Sequence, residues 1–284
     1  MLLIFGLGYT GRAIAAAARA RGIAAIGTTR ATPAGPDEIS FESAGPAIAA
    51  ATHLLSTVPP DTAGDPVLAR HGAAIAAAAR EGGLRWIAYL SSTVVYGNRD
   101  GAWVNEDTPP APSSARGERR LAAEAAWRAA AGRVPLDLFR LAGIYGPGRS
   151  AFDDLRAGRA RRVAKPGHAF GRIHRDDIAR AVPAAIDRPG TGARVLNLTD
   201  DLPAESAETI AYAAAMLGLP PPPLVPFETA VAGMPPMARS FWAENRKVSS
   251  AATKAALGLA WRYPSYREGL RAILAEERGE HIGQ

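Results

Sequence analysis

Three glycines, Gly6, Gly8 and Gly11, follow the wholly apolar run Leu2–Phe5 at GxGxxG spacing. An Ala-rich stretch, Arg12 to Arg21, comes next, and Gly22 ends it. The pattern reads as a strand buried on both faces, a tight turn and a helix, with a second strand at Ala24 to Thr28. In a mononucleotide fold the first glycine permits the turn and the second lets the backbone approach a pyrophosphate. The third lets helix and strand pack closely, while the helix N-terminus offers free N–H groups and its positive dipole end. The whole loop, with Leu7, Tyr9 and Thr10 between the glycines, is therefore the expected dinucleotide-binding turn. The alternative reading is an ordinary Gly-rich turn in an α/β protein.

A chain of 284 residues can form one large or two modest domains with a substantial core. No apolar run is long enough to span a membrane, and no basic leader precedes the first strand, so a cytoplasmic protein without a membrane partner is expected. There is no cysteine, which excludes disulfides and thiolate metal sites, and no metal-ligand cluster is evident. The net charge is +6, but of the 33 basic residues only Lys165, Lys247 and Lys254 are lysines. No basic run is interleaved with aromatics, so a solvated Arg-rich surface is expected rather than a nucleic-acid partner. A few of these arginines lining a pocket for an anion is the other reading.

The end of the second strand bears on which cofactor fits. An NAD site usually places an acid roughly 20 residues beyond the glycines, where it accepts from the ribose 2′-hydroxyl. Here the sequence is Gly27-Thr28-Thr29-Arg30, with no acid. A guanidinium at that point pairs with a 2′-phosphate, so Thr29 and Arg30 predict NADP in preference to NAD. Arg30 also reads as a surface arginine opening the loop to Asp37. A third strand is expected at Ile39 to Phe41 and a fourth at His53 to Thr57, closing on Val58-Pro59-Pro60. Loops at strand C-termini bind ligands in open α/β sheets, so Ser56, Thr57, Val58 and Pro59 should flank the cofactor. His53 and His71 have no evident acidic orienter and read as structural.

A further strand, Arg85 to Ser91, runs into Ser92-Thr93-Val94-Val95-Tyr96-Gly97, which puts hydroxyls at its C-terminal end. This segment resembles the SSxxVYG signature of the extended short-chain dehydrogenase/reductases, the group of UDP-galactose 4-epimerase and other nucleotide-sugar enzymes. Arg140 to Gly148 resembles that family's RxxNVYGPG stretch, and Ile173 to Ala179 its HVDDVA stretch. Asn245 to Leu270 is similar to its C-terminal tail. The resemblance implies an α/β fold: a doubly wound parallel sheet with a small discontinuous C-terminal cap. Residues 1–150, joined by 173–199, would form the dinucleotide domain, and 151–172 with 200–284 the substrate cap. It adds Ser91 and Ile144 to the cofactor-binding set, and implies that Ser92, with Thr93 beside it, hydrogen-bonds the reacting oxygen.

Two departures stand out. The family's glycine loop is usually GxxGxxG, one residue longer than this one. Its YxxxK pair, aligned on Leu121 to Glu124, falls on Arg116 and Arg120. The family's phenol exchanges a proton near neutrality because its pKa is lowered by the lysine and the cofactor charge. A guanidinium stays protonated and has no acceptor lone pair, so Arg116 can act only electrostatically, holding an anion or a developing oxyanion. Tyr96, Tyr145 and His174 are then the candidate proton-transfer groups. Tyr96 reads equally as a packing or substrate-contact residue, and His174 as a junction residue with Asp176 or Asp177 capping the next helix. Glu106 and Asp107 read as a solvated turn.

Beyond a helix at Ala151 to Ala160, Arg149, Arg156, Arg159, Arg161, Arg162 and Arg172 make the chain locally basic, either for an anionic substrate or as a wet helix face. A strand at Val195 to Leu198, a helix at Glu205 to Leu217, a stiff connection at Pro220 to Pro223 and a last helix at Pro264 to Glu277 complete the chain, and the final residues are expected to fray. The expectation is an atypical NADP-binding oxidoreductase, epimerase or dehydratase acting on a small-molecule substrate. A non-catalytic redox sensor or scaffold is the alternative. The resemblance also implies a homodimer through the helices Pro66 to Arg80 and Ala115 to Ala131.

Overall fold

The computed structural model describes residues 1–280. Seven parallel strands form one sheet, and those at its centre are buried on both faces. The seven are β1 (Leu2–Phe5), β2 (Ala25–Thr29), β3 (Glu38–Ser40), β4 (His53–Ser56), β5 (Trp86–Ser92), β6 (Leu136–Leu141) and β7 (Ala193–Leu198). Their order is β7-β6-β5-β4-β1-β2-β3. The chain therefore winds outward from β1 in both directions, and the strand order reverses between β1 and β4, where an open α/β sheet forms its ligand crevice.

Helices cover both faces. On one side α1 (Tyr9–Ala20) buries Ile14, Ala15 and Ala18 against Ile178, Ala181, Val182 and Ala185 of a helix spanning Arg175–Asp187. On the other lie α2 (Gly45–Ala50), α3 (Pro66–Arg80) and α4 (Ala115–Ala131), with Ile48, Val67, Ile75, Ala123 and Trp127 in the core. Side-chain caps fix where the helices start. Asp65 accepts from the amides of Val67 and Leu68, with Pro66 supplying a preset φ at the first turn, and Ser114 accepts from Gly117 N.

Within 151–172 and the described part of 200–284, two apolar clusters form apart from the sheet's core. Phe152, Tyr266, Leu270 and Ile273 belong to one, and Val163, Met234 and Trp242 to the other. Leu257 and Trp261, within the second segment, sit instead in the sheet's own core beside Ile178.

Several local expectations shift. The third strand ends at Ser40, and Phe41–Ser43 turns into a 3-10 helix. The helix after Ser150 stops at Arg156, because Gly158 follows in the left-handed region at φ +65°. The helix Arg175–Asp187 is capped by His174, whose Nδ1 accepts from Asp176 N at 3.2 Å, and not by an aspartate. Asp177 reaches back instead to the amides of Arg262 and Tyr263 at 2.8 and 2.9 Å. The expected fraying of the last residues, 281–284, lies outside the described residues. None of the described helices is long and apolar enough to cross a membrane.

Candidate active site

The glycine loop is held from both neighbouring strands. Gly6 N donates to Thr28 Oγ1 at 3.1 Å, Leu7 N to Thr28 O at 2.9 Å, and Thr57 Oγ1 to Gly6 O at 2.8 Å. Gly6 has φ +94°, and a side chain there would strike Thr57. A Cβ on Gly11 would lie 2.2 Å from the Gly6 carbonyl, so this glycine permits the close approach of helix and loop. Gly8 differs: nothing lies within 4 Å of where its Cβ would be. It starts α1 without a side-chain cap and with no acid in the first turn. The first amides of α1 thus face open space beside an empty flank of backbone, which is the geometry a pyrophosphate requires.

That space is part of a cavity of about 540 Å³ at the C-terminal edge of the sheet. Of the residues expected at the cofactor, Gly8, Tyr9, Thr10, Gly11, Thr57, Pro59, Ser91 and Ile144 line it. Gly6, Leu7, Thr29, Arg30, Ser56 and Val58 do not. Leu7 packs over Gly27, Ser56 is fully buried with its Oγ 3.4 Å from Val58 N, and Thr29 Oγ1 accepts from Ala31 N. Arg30 is exposed at the tip of β2. The nearest acids are engaged elsewhere, Asp37 with Arg19 and Glu38 with Arg12.

Ser92, Thr93, Arg116 and Arg120 line the same cavity. Ser92 ends β5 half-exposed and caps the following turn through Val94 N at 3.3 Å. Ser91 turns its hydroxyl the other way, onto buried Glu124 at 2.6 Å. Arg120 reaches from α4 to the Tyr89 hydroxyl and the Leu90 carbonyl, at 2.8 and 3.0 Å. Arg116 stacks over Phe241, its guanidinium 4.9 Å from the ring centroid. Burial first, and then Arg120, lower its pKa from the usual arginine value.

The phenols correct the sequence reading. Tyr96 is fully buried and away from the cavity; its hydroxyl donates to Asn197 Oδ1 at 2.8 Å, and Arg140 stacks on its ring. Burial pushes its pKa up, so it is placed for packing and not for proton transfer. Tyr145 donates to Ser265 O from a similarly buried position. His174 is 1% exposed and wedged against Tyr145 and Tyr263, with its pKa pressed down to about 4 by burial. Glu106 is not a solvated turn: its Oε1 takes Thr253 Oγ1 at 2.6 Å and Thr253 N at 3.2 Å, tying this loop to the C-terminal segment.

The basic stretch disperses as well. Arg156 pairs with Glu277, Arg159 with Asp154, and Arg172 donates to the Phe170 and Ala204 carbonyls. Only Arg149 of that group lines the cavity. The sequence reading missed Phe241, Glu244 and Arg246, all of them cavity residues. Arg246 lies inside the tail segment already marked by resemblance, whereas no sequence signal singled out Phe241 or Glu244. Among the described residues, no cluster could hold a metal ion.

No family model matches the chain. It is similar to a solved structure of a functionally unknown conserved protein from Silicibacter pomeroyi, with 45% identity, a TM-score of 0.88, and 97% of this chain and 98% of that one covered. It is also similar in fold to the human epimerase family protein SDR39U1, solved with NADPH, at 20% identity and a TM-score of 0.76 over 96% of this chain and 99% of that one. Among curated proteins, Protein YeeZ of Escherichia coli is 34% identical over 141 residues, 48% of this chain. The matched region spans about half of that relative, 47%.

Proposed function

The chain is an atypical extended short-chain dehydrogenase/reductase, in the family of the Silicibacter protein, and on that premise we propose that it binds NADP(H) and acts on a small polar substrate by oxidoreductase, epimerase or dehydratase chemistry. One observation carries the reading: the open glycine loop, the hydroxyl-bearing end of β5, and Arg116 and Arg120 of α4 meet in a single cavity. SDR39U1, solved with NADPH, shares the fold and supports the choice of cofactor.

The first amides of α1 would hold the pyrophosphate, with Gly8 giving it room, and Arg30 would take the 2′-phosphate. Bound there, the nicotinamide supplies a hydride donor or acceptor. Ser92 donates a hydrogen bond to the substrate oxygen at the reacting carbon. Arg116 brings a positive charge into the same cavity, where it holds an anion and cannot itself exchange a proton. Arg120, anchored on Tyr89 and Leu90, sets the floor between them. Neither arginine supplies a proton, so the proton comes from solvent or from the substrate itself. In solution, α3 and α4 would form the contact of a homodimer.

The replacement of a titrating phenol also favours a second reading, a non-catalytic redox sensor or scaffold. Among the described residues, Tyr9, the one phenol lining the cavity, donates to Pro147 O, and Glu244, its one carboxylate, is already hydrogen-bonded three times. A panel of small carbonyl compounds assayed for NADPH consumption separates the two. Turnover that Ser92→Ala cuts by about two to four orders of magnitude supports the enzyme. Saturable NADPH binding with no turnover supports the sensor.

A further inference from the structure

The charge lining the cavity is unbalanced. Arg116, Arg120, Arg149 and Arg246 face one carboxylate, Glu244. Glu244 is fully engaged: it accepts from Ser113 Oγ at 2.9 Å, Ser114 Oγ at 3.0 Å and Arg246 Nη1 at 2.7 Å. This network has a structural purpose, because Ser114 caps α4 and so fixes the first turn, which carries Arg116. It also fixes Arg246, whose Nη1 donates to Gly97 O as well. The Arg246 side chain is 14% exposed, and its Nε is buried without a hydrogen-bond partner.

Arg116 has no carboxylate of its own among the described residues; its contact is the face of Phe241. Arg120 and Arg246 act on it as like charges, with Glu244 opposing. Two or three guanidiniums drawn together, partly out of water and countered by one carboxylate, are costly unless an anion joins them. The cofactor's pyrophosphate does not answer this need, because its cradle is the amide-rich start of α1. Arg116 lies instead against Phe241, and Phe170, Ser240 and Val248 line the same cavity with Arg246.

We propose that Arg116 and Arg246 form a clamp for a compact oxyanion, a carboxylate or a phosphate, carried by the substrate, with Phe241 walling one side. This rests on the cofactor assignment above and narrows the substrate to a small anionic carbonyl or alcohol. It also accounts for arginine where the family has tyrosine: the position holds substrate charge. The forked donors of arginine suit both oxyanions, and lysine would keep the charge but lose the fork.

The test is calorimetry on the protein saturated with NADPH, titrated with malonate, with inorganic phosphate and with neutral malonamide. The clamp predicts saturable binding of malonate or phosphate and none of malonamide, and the stronger of the two anions identifies the group. Arg116→Gln, which breaks no internal hydrogen bond, should weaken that binding by about tenfold or more and leave NADPH affinity within about twofold. Arg246→Lys, chosen to preserve the contact with Glu244, should weaken it less. Equal response to malonamide, anion binding insensitive to both substitutions, or anion binding abolished by NADPH would overturn the clamp. If NADPH itself fails to bind, the cofactor assignment falls. The anion titration of the free protein and of Arg116→Gln then still decides the clamp.

Discussion

Arg140 holds Glu124 by two parallel hydrogen bonds, Nε to Oε1 at 3.0 Å and Nη2 to Oε2 at 2.8 Å, and both side chains are buried. Ser91 donates to the same Oε1, and Arg140 stacks on Tyr96. This cluster joins α4 to β5 and β6 directly beneath Ser92, so the position of the cavity floor depends on it. Removing one partner leaves an uncompensated buried charge. Glu124→Ala should therefore cost about 3–5 kcal/mol in urea unfolding. A loss below about 1 kcal/mol would show that the pair contributes nothing to the fold.

The glycines separate folding from binding. A methyl at Gly11 meets the Gly6 carbonyl, whereas a methyl at Gly8 meets open space. Gly11→Ala should lower the melting temperature and disrupt the loop. Gly8→Ala should melt close to the parent yet lose NADPH affinity, because the methyl occupies the pyrophosphate's approach. Equal NADPH affinity in Gly8→Ala and the parent would remove the ligand from this loop.

Much of the fold was legible because the signals were local. Apolar runs marked β1, β4 and β5. The glycine loop carried its own context. The site was legible at the strand ends, as with Ser92 and Thr93, and at Arg116 and Arg120 through the alignment on Leu121 to Glu124. Arg246, Glu244 and Phe241 come to the cavity from more than 120 residues further along the chain, through packing that no periodicity encodes. Tyr96 misled for the opposite reason. It follows the hydroxyl-rich strand end closely, yet the turn at Thr93–Tyr96 rotates it into the core, where Asn197 satisfies its hydroxyl.

Stability should fall as the pH rises from about 6.5 to 8. Burial pushes the Asp200 carboxyl up to about 8, with Arg172 opposing, and its Oδ2 is buried without a partner. The unfolded chain gives up that proton near pH 4, so from there to about pH 8 the native state binds more protons and loses stability as pH rises. Buried His168, pressed down to about 4, acts in the other direction: below about pH 6.5 the unfolded chain binds more protons, and stability rises with pH. Above about 6.5 Asp200 acts without that opposition. The urea midpoint should fall between about pH 6.5 and 8, and Asp200→Asn should flatten the fall. A midpoint that holds or rises across that window in the parent would contradict the assignment.

The cofactor assignment carries most of the functional account, and a fluorescence titration with NADPH and with NADH, repeated on Arg30→Ala, tests it most directly. Arg30 is exposed at the tip of β2, so its removal should leave the fold intact. The account predicts that NADPH binds more tightly than NADH and that Arg30→Ala erases the difference while NADH affinity holds. Equal affinity for the two in the parent would retire the NADP assignment, and no saturable binding of either would contradict the account at its centre.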